Sequence, residues 1–432
     1  MARMGWDFST EPAFQRELDW VRDLMHDEVE PLETLALDRA RLQRAIAPLQ
    51  ERIKERGLWA THLDRELGGQ GFGQLKLGLI NQLVGRSILG PYVFGNQAPD
   101  AGNTEILGRN GTPEQKERYL EPLLAGDVCS AFAMTELETA GADPTLMALR
   151  ARPAGEGYVL DGAKWFITHA READFFLVMA VTDPDAERHR RASIFIVDRG
   201  HPGLIVDREI GTMHDPKPDP ATVYTHSVVR FENCRVHTSQ RLGEEGAGFL
   251  IAQQRLGPGR IHHCMRWIGQ AERALDMMCE RAVYRQTHGR TLGEHQTIQN
   301  WIADSVAEIH GARLMTLHAA WKIDAEGVRA SRREIGMIKY HGAKVLLDVI
   351  DRALQAHGSL GYSTDMPLEE MYRAGRASRF YDGPDEVHRT VVARLTLRGY
   401  EAPEDGVPSE YIPRRREEAT RRFAHLLDLT TT

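Results

Sequence analysis

The 432-residue sequence predicts an α+β protein in which helices come first, strands lie in the middle and long helices come last. Three observations predict this order: apolar residues at helical spacing in the first third, short β-rich runs from about Ala131, and a return to helical spacing after Gly248. Strands and helices do not alternate, so the pattern is not that of a parallel α/β sheet. We expect an N-terminal helical domain (residues 1–130), a middle β domain (131–243), a C-terminal helical bundle (244–400) and a charged tail (401–432) that forms either a surface helix or a loose segment.

The first helix is predicted from apolar residues that recur at helical spacing, with Thr10 as its cap and Pro12 in its first turn. These residues are Phe14, Leu18, Val21, Met25 and Val29. A later helix is expected to start at Thr112, because Pro113 suits the first helical position and Gln115 completes a capping box. It should end near Leu124.

Runs rich in β-branched and aromatic residues predict the strands of the middle domain, at residues 158–160, 175–179, 193–197 and 227–231. Three apolar stripes predict the later helices. The stripes are Trp267, Ala271, Leu275, Met278 and Ala282; Ile302, Val306 and Ile309; and Leu346, Ile350 and Leu354.

Composition and charge exclude several classes of protein. Hydrophobic residues make up 42% of the chain and charged residues 27%, as in globular proteins that bury a core. The formal net charge of −8 argues against nucleic acid as a partner. No apolar run is long enough to cross a bilayer, and the first eight residues lack the apolar core of a signal peptide. We therefore expect a cytoplasmic protein without a membrane partner.

Cysteines, histidines and glycines do not form the patterns of common metal, nucleophile or nucleotide sites. The four cysteines include no CxxC pair, which suits a reducing compartment. His262 and His263 are adjacent, so they do not share a helix face, and HExxH and GxSxG are absent. The glycine-rich stretch 68–73 follows no predicted strand, so we interpret it as a structural turn. We expect no bound metal.

A loop at the start of the β domain could bind the polar edge of an aromatic cofactor. Residues 132–143 (FAMTELETAGAD) combine a hydroxyl, small residues and an acid after a short apolar run. A simple β turn explains the same residues equally well. Trp165, Phe166 and Thr168 then supply aromatic surface and a hydroxyl, which suit either stacking on a flat ring or core packing.

Asp382 lies just before a Gly-Pro turn that precedes a predicted helix, in the sequence RFYDGPDEVHR (379–389). Among Phe380 and Tyr381 its carboxylate could be desolvated, which would raise its pKa towards the range of a general base. Alternatively, Asp382 or Asp385 could cap the helix, which is the commoner role of aspartate at such a position.

Taken together, these segments resemble the acyl-CoA dehydrogenase family of flavoproteins, from about Phe14 to Tyr400. The resemblance rests on several motifs in the same order and spacing. They are residues 111–120 (GTPEQKERYL) with Gly126-Asp127, 231–236 (FENCRV), 242–249 (LGEEGAGF), 285–290 (RQTHGR) with 294–296 (EHQ), and 355–362 (QAHGSLGY).

The resemblance implies a helical N-terminal domain, a central β-barrel or sandwich domain and a C-terminal four-helix bundle, assembled as a dimer or homotetramer in which subunits share FAD. The residues implied at the isoalloxazine ring are Phe132, Met134, Thr135, Gly141, Ala142, Phe166 and Thr168. Those implied at the diphosphate and adenosine are Arg285, Thr287 and Gln296 of a neighbouring subunit with Gln355 and Ser359, while Pro384 and Glu386 lie close to the cofactor. Substrate contacts are implied for Ala142, Arg260 and Gly383.

The resemblance also implies α,β-dehydrogenation of an acyl-CoA thioester to a trans-2-enoyl-CoA. Asp382 falls at the position of the family base, usually glutamate, and would remove the α proton while the β hydrogen leaves as hydride to flavin N5. The backbone N–H at Asp382 and a ribityl hydroxyl of FAD would polarise the thioester carbonyl. Gly259, the alternative base position of some members, carries no carboxylate.

Departures from the family pattern affect the substrate. Aspartate is one methylene shorter than glutamate, so a bulkier, branched or hydroxylated acyl group is one explanation. The flavin loop is one residue longer than usual, with Leu137 where proline is common and Ala142 where serine is common. The residues 383–388 (GPDEVH) resemble an aspartate-base branch of the family. An electron-transfer flavoprotein is the expected electron acceptor. The alternative is an oxidase resembling nitroalkane oxidase, which Arg260 and Asp382 also suit.

Overall fold

The computed structural model describes residues 10–219, 222, 224–403 and 405–427, without the side chains of residues 256–258. Residues 1–8, on which the signal-peptide expectation rests, lie outside this part, as does the end of the predicted tail. The N-terminal region is helical. Its α-helices are α1 (Pro12–Leu24), α2 (Glu30–Leu32), α3 (Arg39–Glu55), α4 (Gly73–Val84), α5 (Gly90–Val93), α6 (Asp100–Asn110), α7 (Pro113–Gln115) and α8 (Glu121–Ala125), with π-helical turns at Met25–Val29 and Lys116–Leu120.

Two helix starts test the capping predictions. Thr112 caps α7, and the reciprocal bonds between Thr112 and Gln115 confirm the predicted capping box. The predicted cap of α1 is wrong: Glu11 occupies the N-cap position, and the Thr10 hydroxyl donates to the Gln15 side chain 2.5 Å away. The five apolar residues that predicted this helix are all buried.

The middle region is a mixed sheet. Its strands are β1 (Ser130–Ala133), β2 (Arg150–Ala154), β3 (Gly157–Thr168), β4 (Phe175–Val181), β5 (Ala192–Asp198), β6 (Leu204–Glu209), β7 (His226–His237) and β8 (Arg241–Leu242). The strand order is β6-β7-β3-β2-β4-β5-β8, and β1 pairs in parallel with β4. The four predicted runs therefore lie in β3, β4, β5 and β7.

Strand β4 is buried on both faces, because two cores meet at it. Phe176, Val178 and Ala180 face the interior core of the sheet. The alternate residues of β4, starting at Phe175 and Leu177, pack against residues of α6, α8 and the first turn of the next helix. This alternation is the period of a β-strand, and it joins the N-terminal helices to the sheet.

Long helices form the C-terminal region. They are α9 (Gly248–Tyr284), α10 (Gln296–Glu326), α11 (Arg332–His357), α12 (Ser359–Tyr362), α13 (Leu368–Gly375), α14 (Asp385–Leu397) and α15 (Ile412–Leu427), with a hairpin of β9 (Gln286–Thr287) and β10 (Arg290–Thr291) between α9 and α10. Most residues of the predicted stripes face the shared core. Ala282 is buried outside that cluster, and Val306 is exposed. Of the two forms predicted for the tail, residues 412–427 adopt the helix.

Helix α4 of the N-terminal region crosses α9 at close range. A Cβ atom at Gly269 would lie 1.9 Å from the carbonyl oxygen of Gln82, so only glycine fits at this crossing. The crossing fixes α9 against the N-terminal helices. Because α9 also supplies one wall of the site described next, the N-terminal region helps to set the shape of that site.

Candidate functional site

A cleft of about 2110 Å³ lies between the β domain, α9 and the segment before α14. It is larger than the 300–1,000 Å³ of ordinary small-molecule sites. Eleven of the residues predicted for the site line it: Phe132, Met134, Thr135, Gly141, Ala142, Phe166, Thr168, Arg260, Asp382, Gly383 and Pro384. The fold thus brings residues from three separate parts of the sequence to one cavity.

A buried ion pair holds the loop that follows β1. Lys164 on β3 is inaccessible to solvent, and its Nζ lies 2.9 Å from both Glu136 Oε1 and the carbonyl oxygen of Met134. The Glu136 carboxylate also accepts the backbone N–H groups of Ala148 and Leu149. Glu136 therefore ties both ends of the loop to the sheet, so the loop is a fixed wall of the cleft rather than an isolated turn.

Phe166 presents its ring to the cleft from a strained backbone position. Its φ is +64°, in the left-handed region that residues with a side chain seldom adopt, and its side chain is partly exposed. The ring stacks on His226 with centroids 4.5 Å apart. His226 Nδ1 lies 3.2 Å from the Thr168 hydroxyl. The aromatic and hydroxyl groups predicted here thus face a cavity and do not belong to the core.

Asp382 lies on a short loop that two hydrogen bonds hold. Asp382 has a φ of +55° and Gly383 a φ of +98°. The Asp382 carbonyl oxygen accepts from Arg260 Nε and from His388 Nε2, each at 3.0 Å. A Cβ atom at Gly383 would lie 2.9 Å from His388 Nε2, so this position needs glycine for both its φ and its space.

Neither aspartate acts as the helix cap considered above. Pro384 occupies the N-cap position of α14. Asp385 lies in the first turn, where its carboxylate accepts from Arg379 Nε at 2.6 Å. The Asp382 carboxylate points away from the helix, towards His263 on α9, whose Nε2 lies 3.4 Å from Oδ2. Asp382 is therefore free of a capping role.

The electrostatics of Asp382 correct one expectation. Burial raises the pKa of its carboxyl, but His263, Arg260, Arg255 and Lys339 lower it by more, and the net pKa lies below the usual 3.8. The predicted rise is wrong because it counted desolvation and omitted cations from distant parts of the sequence. At neutral pH Asp382 is ionised and able to accept a proton.

Arg255 adds a positive charge beside Phe132. Its guanidinium lies 4.6 Å from the centroid of the Phe132 ring, and its Nε donates to Asn103 Oδ1 at 3.2 Å. A Cβ atom at Gly102 would lie 2.7 Å from Arg255 Cγ and Nε, so the side chain fits into a space that only glycine leaves. Within the described ranges, no carboxylate lies at ion-pair distance from Arg255.

A second carboxylate that lines the cleft is Glu105 on α6. Its Oε1 lies 3.3 Å from Arg109 Nε. Burial raises the pKa of Glu105 to about 7, against the opposing effect of Arg109. Glu105 therefore takes up a proton at a higher pH than Asp382 does.

Six predicted site residues do not line this cleft in the single chain. Arg285 and Thr287 lie at the hairpin after α9, Gln296 begins α10, Gln355 is near the end of α11, Ser359 begins α12, and Glu386 lies in the first turn of α14. The resemblance implies that Arg285, Thr287 and Gln296 contact the cofactor of a neighbouring subunit, and this stays a prediction.

Several residues that line the cleft were missed by sequence reasoning, namely Arg255, His263, Trp267, Tyr381 and His388. Of these, Tyr381 and His388 carried a sequence signal, because both lie in the segment 379–389 around Asp382. Among the described residues, no group of three or more His, Cys, Asp or Glu side chains could hold a metal ion. Every helix in the same ranges is too short or too polar to cross a membrane.

Comparison with known proteins gives matches along most of the chain. Three protein-family models match in order: the acyl-CoA dehydrogenase N-terminal domain at residues 13–127, the middle domain at 131–218 and the C-terminal domain at 246–397. The chain is 39% identical over 394 residues to the probable acyl-CoA dehydrogenase FadE2 of Mycobacterium tuberculosis, covering 90% of this chain and 93% of that protein.

Two further proteins show the extent of the similarity. Acyl-CoA dehydrogenase family member 11 of Rattus norvegicus is 40% identical over 359 residues, covering 82% of this chain but only 45% of that protein, so the chain spans about half of its length. A solved structure from Mycobacterium abscessus, assigned to the acyl-CoA dehydrogenases, superposes with a TM-score of 0.85 at 38% identity, covering 91% of this chain and 100% of that one.

Proposed function

This chain belongs to the acyl-CoA dehydrogenase family of FAD-dependent oxidoreductases, and from that premise we propose that it converts an acyl-CoA thioester to a trans-2-enoyl-CoA. The substrate loses a proton from its α carbon and a hydride from its β carbon, and a double bond forms between them. The observation that carries the proposal is an aspartate on a strained loop that lines the same cleft as the predicted cofactor-binding residues.

The cleft residues fit a flavin. Phe132, Trp165 and Phe166 offer aromatic surface, and the exposed ring of Phe166 is held in its position by His226. The Lys164 and Glu136 ion pair fixes the loop whose residues 134–142 face the same space. FAD, when bound, supplies the acceptor for the β hydride. The chain's own residues bind the cofactor, orient the substrate and exclude water.

Asp382 is the proposed base. Its lowered pKa keeps the carboxylate ionised at neutral pH, so it is ready to take the α proton. Position 259 on α9 is adjacent, since a Cβ atom at Gly259 would lie 3.9 Å from Asp382 Oδ2, but glycine offers no carboxylate there. Glu105 lies in the same cleft but is paired with Arg109. It therefore serves as a matched control for Asp382.

The backbone around Asp382 suits stabilisation of the enolate that forms when the α proton leaves. Within the residues that the structure describes, the backbone N–H of Asp382 donates to no protein acceptor. The carbonyl oxygen of Asp382 is fixed by hydrogen bonds from Arg260 and His388. An N–H group held in place and left without a partner can donate to the thioester oxygen, and such a donor contributes most when charge develops on that oxygen.

The remaining parts of the proposal concern substrate and partners. A shorter base and a cleft that carries Arg255 and His263 favour a bulkier, branched or hydroxylated acyl group. We propose a homo-oligomer in which Arg285, Thr287 and Gln296 complete the cofactor site of another subunit. An electron-transfer flavoprotein is the proposed electron acceptor. The chain is proposed to divide into four regions, with boundaries at residues 130, 243 and 400.

The test is an anaerobic titration of the FAD-loaded protein with saturated, branched and 4-hydroxy acyl-CoAs and with nitroalkanes, following the visible flavin absorbance. Bleaching by an acyl-CoA is expected, and bleaching by nitroalkanes alone would favour the oxidase alternative. Asp382→Asn should retain flavin and lose about 10²- to 10⁴-fold in reduction rate, whereas Glu105→Gln should keep most of it. Equal rates in Asp382→Asn and the wild type would remove Asp382 from the mechanism.

A further inference from the structure

Lys339 lies beneath the loop that carries Asp382, in the second turn of α11, and its side chain is fully buried. Its Nζ donates to the carbonyl oxygen of Ser378 at 2.7 Å and to that of Gly383 at 3.2 Å. These two carbonyls lie on either side of Asp382 in the sequence. Lys339 therefore bridges the two ends of the segment 378–383, which we call the base loop.

The ammonium group of Lys339 lies in an unusual environment for a buried cation. It lies 5.2 Å from the centroid of the Trp267 ring and 5.6 Å from that of Tyr381, and Trp267 Nε1 donates to the Tyr381 hydroxyl at 2.7 Å. In the described part of the chain, no carboxylate lies at ion-pair distance from Lys339. Buried charges are usually paired, so here two carbonyl oxygens and two ring faces replace the usual partner.

The base loop needs such a support because its backbone is strained. Asp382 and Gly383 both have a positive φ, and such conformations persist only where surrounding contacts determine them. Arg260 and His388 hold the loop from the cleft side through the Asp382 carbonyl. Lys339 holds it from the opposite side and is not among the residues that line the cleft.

We propose that Lys339 is a positioning residue for the dehydrogenation proposed above: it holds the base loop in the conformation that points Asp382 into the cleft, and its positive charge favours the ionised carboxylate. The inference rests on that proposed function. Because Lys339 is buried behind the loop, its removal takes no contact from substrate or cofactor.

The charges around Asp382 agree with this role. The groups that face it are Arg255, Arg260, His263 and Cys264 from α9, Lys339 from α11, His388 from α14, and Tyr381 beside it. Burial lowers the pKa of His263 and of His388 to about 4, so both are neutral at pH 7. Burial raises the pKa of Cys264 to about 12 and also raises that of Tyr381, so both stay protonated. At neutral pH the two arginines and Lys339 are therefore the charged groups that face the carboxylate, whereas His263, which lowers the pKa of Asp382 most, carries its charge only at acid pH.

The experiment compares Lys339→Met, which removes both charge and donors, with Lys339→Gln, which keeps N–H donors without the charge. The rate of anaerobic flavin reduction is measured from pH 3 to 8, so that the wild-type acid limb is included, with an acyl-CoA that reduces the wild type. We expect Lys339→Met to lose about 10- to 100-fold in rate at pH 7 with little change in KM. Its acid limb should move upward by about 1 pH unit.

Lys339→Gln should recover much of the rate above pH 7 and keep the displaced acid limb. Lys344→Met is the matched control, because Lys344 is on the same helix but exposed and paired with Asp348; its rate and pH profile should match the wild type. An acid limb that coincides with the wild-type limb in both Lys339 variants would overturn the proposal, even if their rates fall.

A second measurement does not depend on turnover. The infrared absorbance of the Asp382 carboxyl, isolated by subtracting the spectrum of Asp382→Asn, is titrated in the wild type and in Lys339→Gln. We expect protonation at higher pH in Lys339→Gln, and unchanged protonation overturns the proposal. If no acyl-CoA reduces the wild type, the proposed function fails while this titration still decides the role of Lys339.

Discussion

Replacing Asp100 with asparagine is expected to stabilise the fold above pH 6 and to leave its stability unchanged near pH 4. Asp100 begins α6 and is 5% exposed. Its Oδ1 accepts from the backbone N–H and the hydroxyl of Ser130, and its Oδ2 accepts from Gln97 Nε2 at 3.0 Å. These bonds do not offset burial, which raises the pKa of Asp100 to about 6.

The direction and size of the effect follow from that pKa. An acid whose pKa is higher in the folded state than in the unfolded state binds more protons when folded, so the free energy of unfolding falls as pH rises between the two values. The difference between 3.8 and about 6, at about 1.4 kcal/mol for each pH unit, corresponds to about 3 kcal/mol. This cost is absent near pH 4 and complete above about pH 7.

Asparagine removes the charge and keeps the shape. Its amide oxygen can accept both bonds from Ser130, and its NH₂ group can donate to Gln97 after the Gln97 amide rotates. Gln97 Oε1 is buried and has no partner in the described structure; the rotation pairs this oxygen with the new NH₂ group and moves the Gln97 NH₂ group into its former place.

The assay is urea unfolding followed by tryptophan fluorescence at pH 4, 5, 6 and 7. The difference between variant and wild type should grow from near zero at pH 4 to at most about 3 kcal/mol at pH 7. Asp23→Asn, at an exposed position on α1, should show no such growth. A stabilisation that is the same at every pH, or a loss of stability at pH 7, would refute the reasoning.

Three further outcomes are expected. The rate of flavin reduction should show no inflection from the base between pH 5 and 8, because the pKa of Asp382 is lowered and its carboxylate loses charge only at more acidic pH; an inflection near pH 6 that disappears in Asp382→Asn would contradict this. Lys164→Met should leave the Glu136 carboxylate buried without its partner and cost about 3–5 kcal/mol, measured by urea unfolding, with loss of bound flavin; a variant of wild-type stability would show that the pair is dispensable. Gly102→Ala should displace Arg255, whose Nε lies 2.7 Å from the added Cβ, and change the kcat/KM ratio between 4-hydroxy and unsubstituted acyl-CoAs, whereas an unchanged ratio would place Arg255 outside substrate selection.

Local sequence patterns predicted the parts of the fold that depend on neighbouring residues. The capping box at Thr112 involves side chains three residues apart, and each β-rich run predicted a strand from its own composition. The cap at Thr10 failed because a threonine one position too early can bond Gln15 instead.

The electrostatics of the site could not be predicted in this way. Asp382, Arg255 and Lys339 are far apart in sequence, and α9 and α11 place their charges near one another only in the folded chain. The sequence around Asp382 shows aromatic neighbours and therefore suggests a raised pKa. The family resemblance indicates which residue is the base, but it does not indicate whether the pKa of that residue is raised or lowered.

Strand β4 has a consequence for how the molecule is assembled. Its second face is covered by residues of the preceding helices, from Ile106 to Leu123, and by Ile251 and Ala252 of α9, so its cover is completed only when the first residues of α9 have left the ribosome. A truncated chain that ends before α9 would leave uncovered the part of this face on which Ile251 and Ala252 pack. The N-terminal helices, the sheet and α9 are therefore expected to be inherited together, because a division between any two of them exposes part of this face.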